Sequence, residues 1–280
     1  MHILSECNFA YSNPSLQYQT VHGLRGLVAT CRILKDELLA AVPITACVAP
    51  HLISTSAKCA ALEKVLLERY SAVVDDQWSF SMKFPNTVLC AYTAMAMRDG
   101  PLAKYLSSIV VERVPEDEIQ QHLGPKLFDA YRGVRAAEQQ VLSALHADAN
   151  NASSVCPRLS LEELSAAHDI CKSRVLDVPG GDEILGGAAI VPWFDLINHS
   201  FSNPNIECAV VPRSELPGGA ANLFDVTLNH FVIGVSATMI EAGDMLHYPY
   251  MDYDHGDEDI LTWALRFHFV PHELRKITRR

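Results

Sequence analysis

The chain has 280 residues, 49% of them apolar and 20% charged, with a formal net charge of −11. This is an ordinary composition for a folded globular protein, with room for one large domain or two modest ones. The acidity excludes a phosphate-wrapping footprint, so no nucleic-acid partner is expected. Residues 1–20 read as irregular. Gly26–Leu34 (GLVATCRIL) and Glu37–Val48 (ELLAAVPITACV) read as two strands joined by a turn at Lys35-Asp36. The period then becomes helical over Ala57–Tyr70, Val88–Arg98, Leu102–Ile109, Glu116–His122 and Lys126–His146. Ala147–Pro157 reads as a loop. Ser160 with Glu163 three residues on forms a capping box, and the helix it opens carries Leu161, Leu164, His168 and Cys171 on one stripe. Beyond Pro179-Gly180-Gly181 the pattern is again strand-like: Ala188–Val191, Glu207–Val211, Leu223–Leu228, His230–Ala237 and Met245–Tyr248. Asp257–Phe267 closes as a short helix. Strands, a long helical middle and strands again predict an α+β protein whose sheet portion is split by a helical insert.

Cysteines stand at 7, 31, 47, 59, 90, 156, 171 and 208, and none forms CxxC or CxC. Neither a disulfide framework nor a metal site is expected, and the thiols read as reduced, in a cytoplasmic or nuclear protein. The opening MHILSECNFAYSNPS lacks a basic region followed by an apolar one, so no signal peptide is expected. The longest apolar run, Leu38 to Pro50, is short for a bilayer and broken by Pro43, so no membrane partner is expected. The tail Arg275–Arg280 is the one basic cluster and reads as a solvated terminus.

Three segments carry candidate chemistry. His22-Gly23-Leu24-Arg25-Gly26 places glycines before a strand, where backbone can approach a ligand closely. Asp195-Leu196-Ile197-Asn198-His199 leaves an apolar run (AAIVPWF), and its Asn and His offer both donors and acceptors. An Asx-turn beside a hydrogen-bonded core histidine would use the same residues. Gly243-Asp244-Met245-Leu246-His247-Tyr248-Pro249-Tyr250, followed by Phe267-His268-Phe269-Val270, supplies tyrosines that serve either as core aromatics or as a catalytic hydroxyl.

Taken in order, GLRGLVA, the Lys172-Ser173-Arg174 triplet, DLINHS, GDMLHYPY and FHFV resemble the SET-domain methyltransferases. The nearest branch is the one typified by plant Rubisco large-subunit lysine methyltransferase, which also contains an actin-histidine methyltransferase. The match runs over roughly residues 20–270, with DLINHS the most specific piece and the glycine segment the least. The resemblance implies a SET-type α+β fold of short β-sheets with a pseudo-knot. Its N-terminal half would be residues 1–54, its helical insert 55–165 and its C-terminal half 166–280.

It also implies S-adenosyl-L-methionine as cofactor, no metal, and a protein substrate with a target lysine. A histidine target, as in the actin enzyme, and a catalytically silent scaffold that binds a peptide are the alternatives. Gly23, Leu24 and Arg25 would line the cofactor through backbone atoms, and Arg174 would pair with its carboxylate. Asp195, Asn198 and His199 would form the cofactor shelf, with Asn198 and the His199 backbone nearest the amino group and adenine. Phe267 and Phe269 would flank the adenine and the substrate channel. Tyr250 would be the catalytic tyrosine at the methyl-transfer pore; a two-residue shift would give that place to Tyr248, but the distance from Gly243 favours Tyr250. Departures from the family are Leu24 for a glycine, Met251 after the tyrosine, Phe267 for a tyrosine, His268 for a glycine, and an acidic stretch over 252–259. The further helical domain that docks substrate in this branch is not expected within the chain. Oligomeric state has no signature in the sequence.

Overall fold

The computed structural model describes residues 10–21, 24–54, 87–98, 102–109, 111, 113–151, 158–250, 257–271 and 274. The chain divides into two compact units, one formed by Met1–Leu52 with Arg174–Asp252 and the other by Ile53–Ser173 with Tyr253–Arg280. The predicted helix at 57–70, the basic tail at 275–280, Gly23, Met251 and residues 252–256 of the acidic stretch lie outside the described residues.

The first unit holds the described strands: β1 (Tyr11–Ser12), β2 (Leu16–Val21), β3 (Leu24–Ala29), β4 (Leu38–Pro43), β5 (Val175–Leu176), β6 (Ala189–Ile190), β7 (Asn198–His199), β8 (Ile206–Pro212), β9 (His230–Ser236) and β10 (His247–Tyr248). β1, β4, β9 and β8 form an antiparallel sheet in that order. β4 reads LLAAVP and is buried along its whole length. A continuous apolar run of this kind suits a strand covered on both faces. Leu27, Leu39, Val42, Ile197, Val232 and Leu246 share one core around Trp193.

Residues 11–20, expected to be irregular, instead supply β1 and all of β2 but its last residue. β2 alternates polar and apolar residues (LQYQTV) and pairs with β3 in unbroken antiparallel register, Leu16 opposite Ala29 and Val21 opposite Leu24. β3 and β4, read as two strands joined by a turn at Lys35-Asp36, belong to different sheets: β2 pairs with β3 and β9 with β4. Asp36 makes the turn with φ 64° and its amide donates to Ser236 O at 2.8 Å. Leu223–Leu228, expected to be a strand, is a turn segment. The Arg213 guanidinium gathers the carbonyls of Ala221, Phe224, Asp225 and Leu228, and Asp225 Oδ1 accepts from the Thr227 amide at 2.9 Å. Carbonyls held by a guanidinium leave little for a ladder.

The second unit is helical among its described residues: α1 (Thr87–Arg98), α2 (Ala103–Ser108), α3 (Glu116–Asn151), α4 (Leu161–Arg174, whose last residue opens the other unit's second segment) and α5 (Asp257–Phe267). α3 merges the two predicted helices across a kink at Gly124 (φ 70°, ψ 170°) ahead of Pro125, as a proline without an amide proton requires. It runs on to Asn151 into the segment expected to be a loop, since alanines after His146 continue a helix at little cost. The capping box forms: Ser160 Oγ accepts from the Glu163 amide at 3.1 Å, and Glu163 Oε2 accepts from the Ser160 amide at 2.7 Å. Of the predicted α4 stripe, Leu164, His168 and Cys171 are buried while Leu161 is exposed. Among the described residues, no helix is long and apolar enough to cross a membrane.

This unit also encloses charge. Lys172 Nζ donates to Glu138, whose other oxygen accepts from Arg135 Nη1 at 2.7 Å. Arg113 pairs with Asp169, and His268 Nε2 and His168 Nδ1 lie 3.5 and 3.8 Å from Asp169 Oδ1. Burial is the main cause that pulls His168 down to about 2, His268 to about 3 and Lys172 to about 8; nearby Lys172 and Arg135 add to the histidine shifts, while Glu138 resists the lysine shift.

Candidate active site

The segment WFDLINH is anchored before it becomes polar. Trp193 is fully buried at φ 81°, a conformation bulky residues rarely adopt, and its indole donates to Ser12 Oγ at 3.1 Å. Its ring meets Phe194 edge-on at 5.0 Å, and both lie over Gly234, where a Cβ would come within 3.2–3.3 Å of them. Trp and Phe thus clamp the chain to β9, and a single turn carries Asp195 to Leu196 outward.

Asn198 and His199 then pair as β7 in parallel with β10, Asn198 opposite His247 and His199 opposite Tyr248. The β10 segment also crosses β3: Leu246 N donates to Leu27 O at 2.8 Å, and Ala29 N to Asp244 O at 2.9 Å. Three stretches distant in sequence therefore meet at one point, as the expected pseudo-knot requires. Asn205 pins the crossing. Its Nδ2 donates to Met245 O at 3.0 Å and its Oδ1 accepts from the His247 amide at 2.7 Å, so SNPN is a brace as well as an exit turn.

Around the crossing, Arg174, Asp195, Asn198, His199 and Tyr250 come together, with Arg25 at its edge. Arg174 Nη1 donates to Asp195 O at 3.0 Å. Asn198 Nδ2 donates to Arg25 O at 2.8 Å, so that carbonyl holds a side chain. Leu24 is 61% exposed at the start of β3. Tyr250 donates its hydroxyl to Ile197 O at 2.6 Å and its backbone amide to His199 Nδ1 at 3.2 Å. That bond uses the His199 Nδ1 lone pair as its acceptor. The His199 ring lies 4.0 Å from Phe201 and 5.2 Å from Tyr250. Burial pushes the Tyr250 phenol up to about 12; the Arg174 charge opposes this and Asp195 adds to it. The phenol therefore keeps its proton at neutral pH.

Tyr248, the alternative, accepts from Cys208 Sγ at 3.2 Å on β8. Burial, its largest effect, raises that thiol to about 11. The two tyrosines are thus distinct: one is tied to a strand thiol, the other to the carbonyl between Asp195 and Asn198.

Phe267 and Phe269 belong to the helical unit. Their rings lie 4.5 and 5.6 Å from Trp263 and 6.4 Å from each other. His268 between them is buried at φ 60°, the left-handed region that favours the glycine expected there, and its carbonyl accepts from Val114 N at 3.2 Å.

Gly26, Ile197 and Met245 fall within the three candidate segments but had no individual role in the sequence reading. A Cβ on Gly26 would fall 2.4 Å from Asn198 Nδ2. A lone glycine inside a strand is the available signal for such an approach. The Ile197 carbonyl and the Met245 sulfur left no mark in the pattern.

No family model and no curated protein matches the sequence. Solved structures do match. The SET domain of LSMT bound to lysine and AdoHcy superposes with a TM-score of 0.63 at 17% identity, covering 98% of this chain and 57% of that one. The fold is that of a SET domain. Rubisco LSMT bound to AdoMet gives 0.62 at 16% identity, over 97% of this chain and 55% of that one. The same enzyme bound to sinefungin and monomethyllysine gives 0.57 at 15%, over 98% and 56%. The chain thus spans little more than half the length of the structures whose SET fold it shares.

Proposed function

We propose that this protein is an S-adenosylmethionine-dependent protein methyltransferase acting on lysine. The observation that carries the proposal is the Tyr250 phenol, seated on Ile197 O between Asp195 and Asn198 at the chain crossing. Its support is the SET fold, shared with structures bound to AdoMet, AdoHcy, lysine and methyllysine.

The residues present fit the cofactor. Gly26 leaves room for the Asn198 carboxamide, which a Cβ there would strike. Asn198 offers an amide oxygen and Arg174 a guanidinium, the acceptor and donor that an ammonium and a carboxylate need. When bound, S-adenosylmethionine supplies an electrophilic methyl group on a sulfonium. Arg174 would hold the carboxylate, Asn198 and the His199 backbone would hold the amino group and adenine, and the backbone of Leu24 and Arg25 would line the shelf.

The target lysine, charged in water, loses hydration against the aromatic surface of Tyr250, His199 and Phe201, which favours its neutral form. The neutral amine is the nucleophile that an electrophilic methyl group would require, and water would take up the amine proton. Tyr250 would align the reacting groups: with its proton held on Ile197 O, its oxygen has lone pairs that would suit polarised methyl hydrogens.

The test is incubation with an isotopically labelled methyl donor and lysine-containing peptides from candidate substrates. Label on lysine Nζ is expected. Label on histidine would move the target, and no label from a protein that binds the cofactor would leave a silent scaffold.

A further inference from the structure

Gly26 and Met245 both press on the Asn198 carboxamide. A Cβ on Gly26 would lie 2.4 Å from Asn198 Nδ2 and 3.1 Å from Met245 Sδ. The same nitrogen donates to Arg25 O at 2.8 Å and to Met245 Sδ at 2.9 Å. A carboxamide nitrogen carries two protons, so a carbonyl and a thioether engage both. Turning the group over would set Oδ1, an acceptor, against two other acceptors. Met245 cannot drift to relieve that clash. Its carbonyl accepts from Asn205 Nδ2 at 3.0 Å, and it bridges to Val28 on β3. Asn198 Oδ1 makes no hydrogen bond among the described residues.

We propose that Gly26 and Met245 are positioning residues: they fix the Asn198 carboxamide with nitrogen toward the protein and oxygen toward the ligand, making the shelf selective for a ligand that carries an ammonium group. The selectivity rests on the cofactor reading; the lock itself rests on the geometry of residues 25, 26, 198 and 245. Gly26 supplies the space. Met245 supplies a second acceptor that tolerates only the donor end of the amide.

The experiment compares wild type, Met245→Leu and Met245→Gln in the full chain. Leucine keeps most of the volume without the acceptor, and glutamine restores one. Calorimetry uses S-adenosylhomocysteine and its analogue with hydrogen in place of the α-amino group. Side-chain NMR follows proton exchange at Asn198 Nδ2. Met245→Leu is expected to lose about fivefold in affinity for S-adenosylhomocysteine, the scale of one hydrogen bond. It should lose nothing for the deaminated analogue and should speed exchange at Nδ2; Met245→Gln should recover most of both. Equal losses for the two ligands, or unchanged exchange in Met245→Leu, overturn the positioning role. A wild type that binds neither ligand overturns the cofactor reading and the selectivity with it. Slow wild-type exchange that Met245→Leu speeds would then still support the lock.

Discussion

The helical unit encloses Glu138, Lys172, His168 and His268 at 3% exposure or less, whereas Arg174, Asp195, Asn198, His199 and Tyr250 in the sheet unit are only half-buried. In the first region, charge meets charge: Lys172 and Arg135 on Glu138, Arg113 on Asp169. In the second, side chains bond mainly to backbone, with Arg174 on Asp195 O, Asn198 on Arg25 O and Tyr250 on Ile197 O. Enclosed ion pairs are an all-or-none structural element, costly to break and closed to ligand. The shelf ties its side chains to backbone and leaves the Asn198 amide oxygen without a hydrogen bond among the described residues. Strongly shifted titration does not separate the two regions, since both hold shifted groups and structural ion pairs shift pKa values as readily as active sites do.

Breaking the closed region should give the largest effect. Glu138→Ala leaves Lys172 as a buried cation without its carboxylate and should cost about 3–5 kcal/mol, read from denaturant midpoints. Tyr250→Phe should lower turnover roughly 100-fold, the scale of losing one preorganised active-site group, with cofactor affinity nearly unchanged in calorimetry. An equal loss of affinity would make Tyr250 structural. Gly26→Ala should cost about 1–3 kcal/mol of overpacking and weaken cofactor binding, whereas a variant with full affinity would show that the Asn198 approach is dispensable.

The enclosed histidines add a pH signature. Their folded pKa values, about 2 and about 3, lie below the ordinary 6.5. Below 6.5 the unfolded chain binds more protons than the folded one, so stability falls as pH drops from 6.5 toward 3. Replacing His168 and His268 by Gln should flatten that slope in pH-dependent melting. The smallest effect is Ser160→Ala, which removes the α4 cap and should cost about 1 kcal/mol without touching cofactor affinity.

Much of this was legible in the sequence, for identifiable reasons. Periodicity located α1, α4 and α5, and the Ser160–Glu163 spacing located a cap that forms. DLINHS and GDMLHYPY located the crossing, because their residue types and order are unusual together. The β2–β3 and β4–β9 pairings were not legible, since strand partners are chosen by tertiary contacts and not by local pattern. Leu223–Leu228 looked like a strand because the Arg213 clamp that bends it draws on residues up to fifteen positions away. Gly26 was visible as a glycine, but its role depends on Asn198, which only the fold brings near. Met245 read as one more apolar residue, and its sulfur contact had no signal.

The most direct test of the central claim is calorimetric titration of the folded protein with S-adenosylmethionine. Saturable one-to-one binding that Asn198→Ala weakens is the predicted result; no detectable heat from a folded sample under conditions suited to the assay would contradict it.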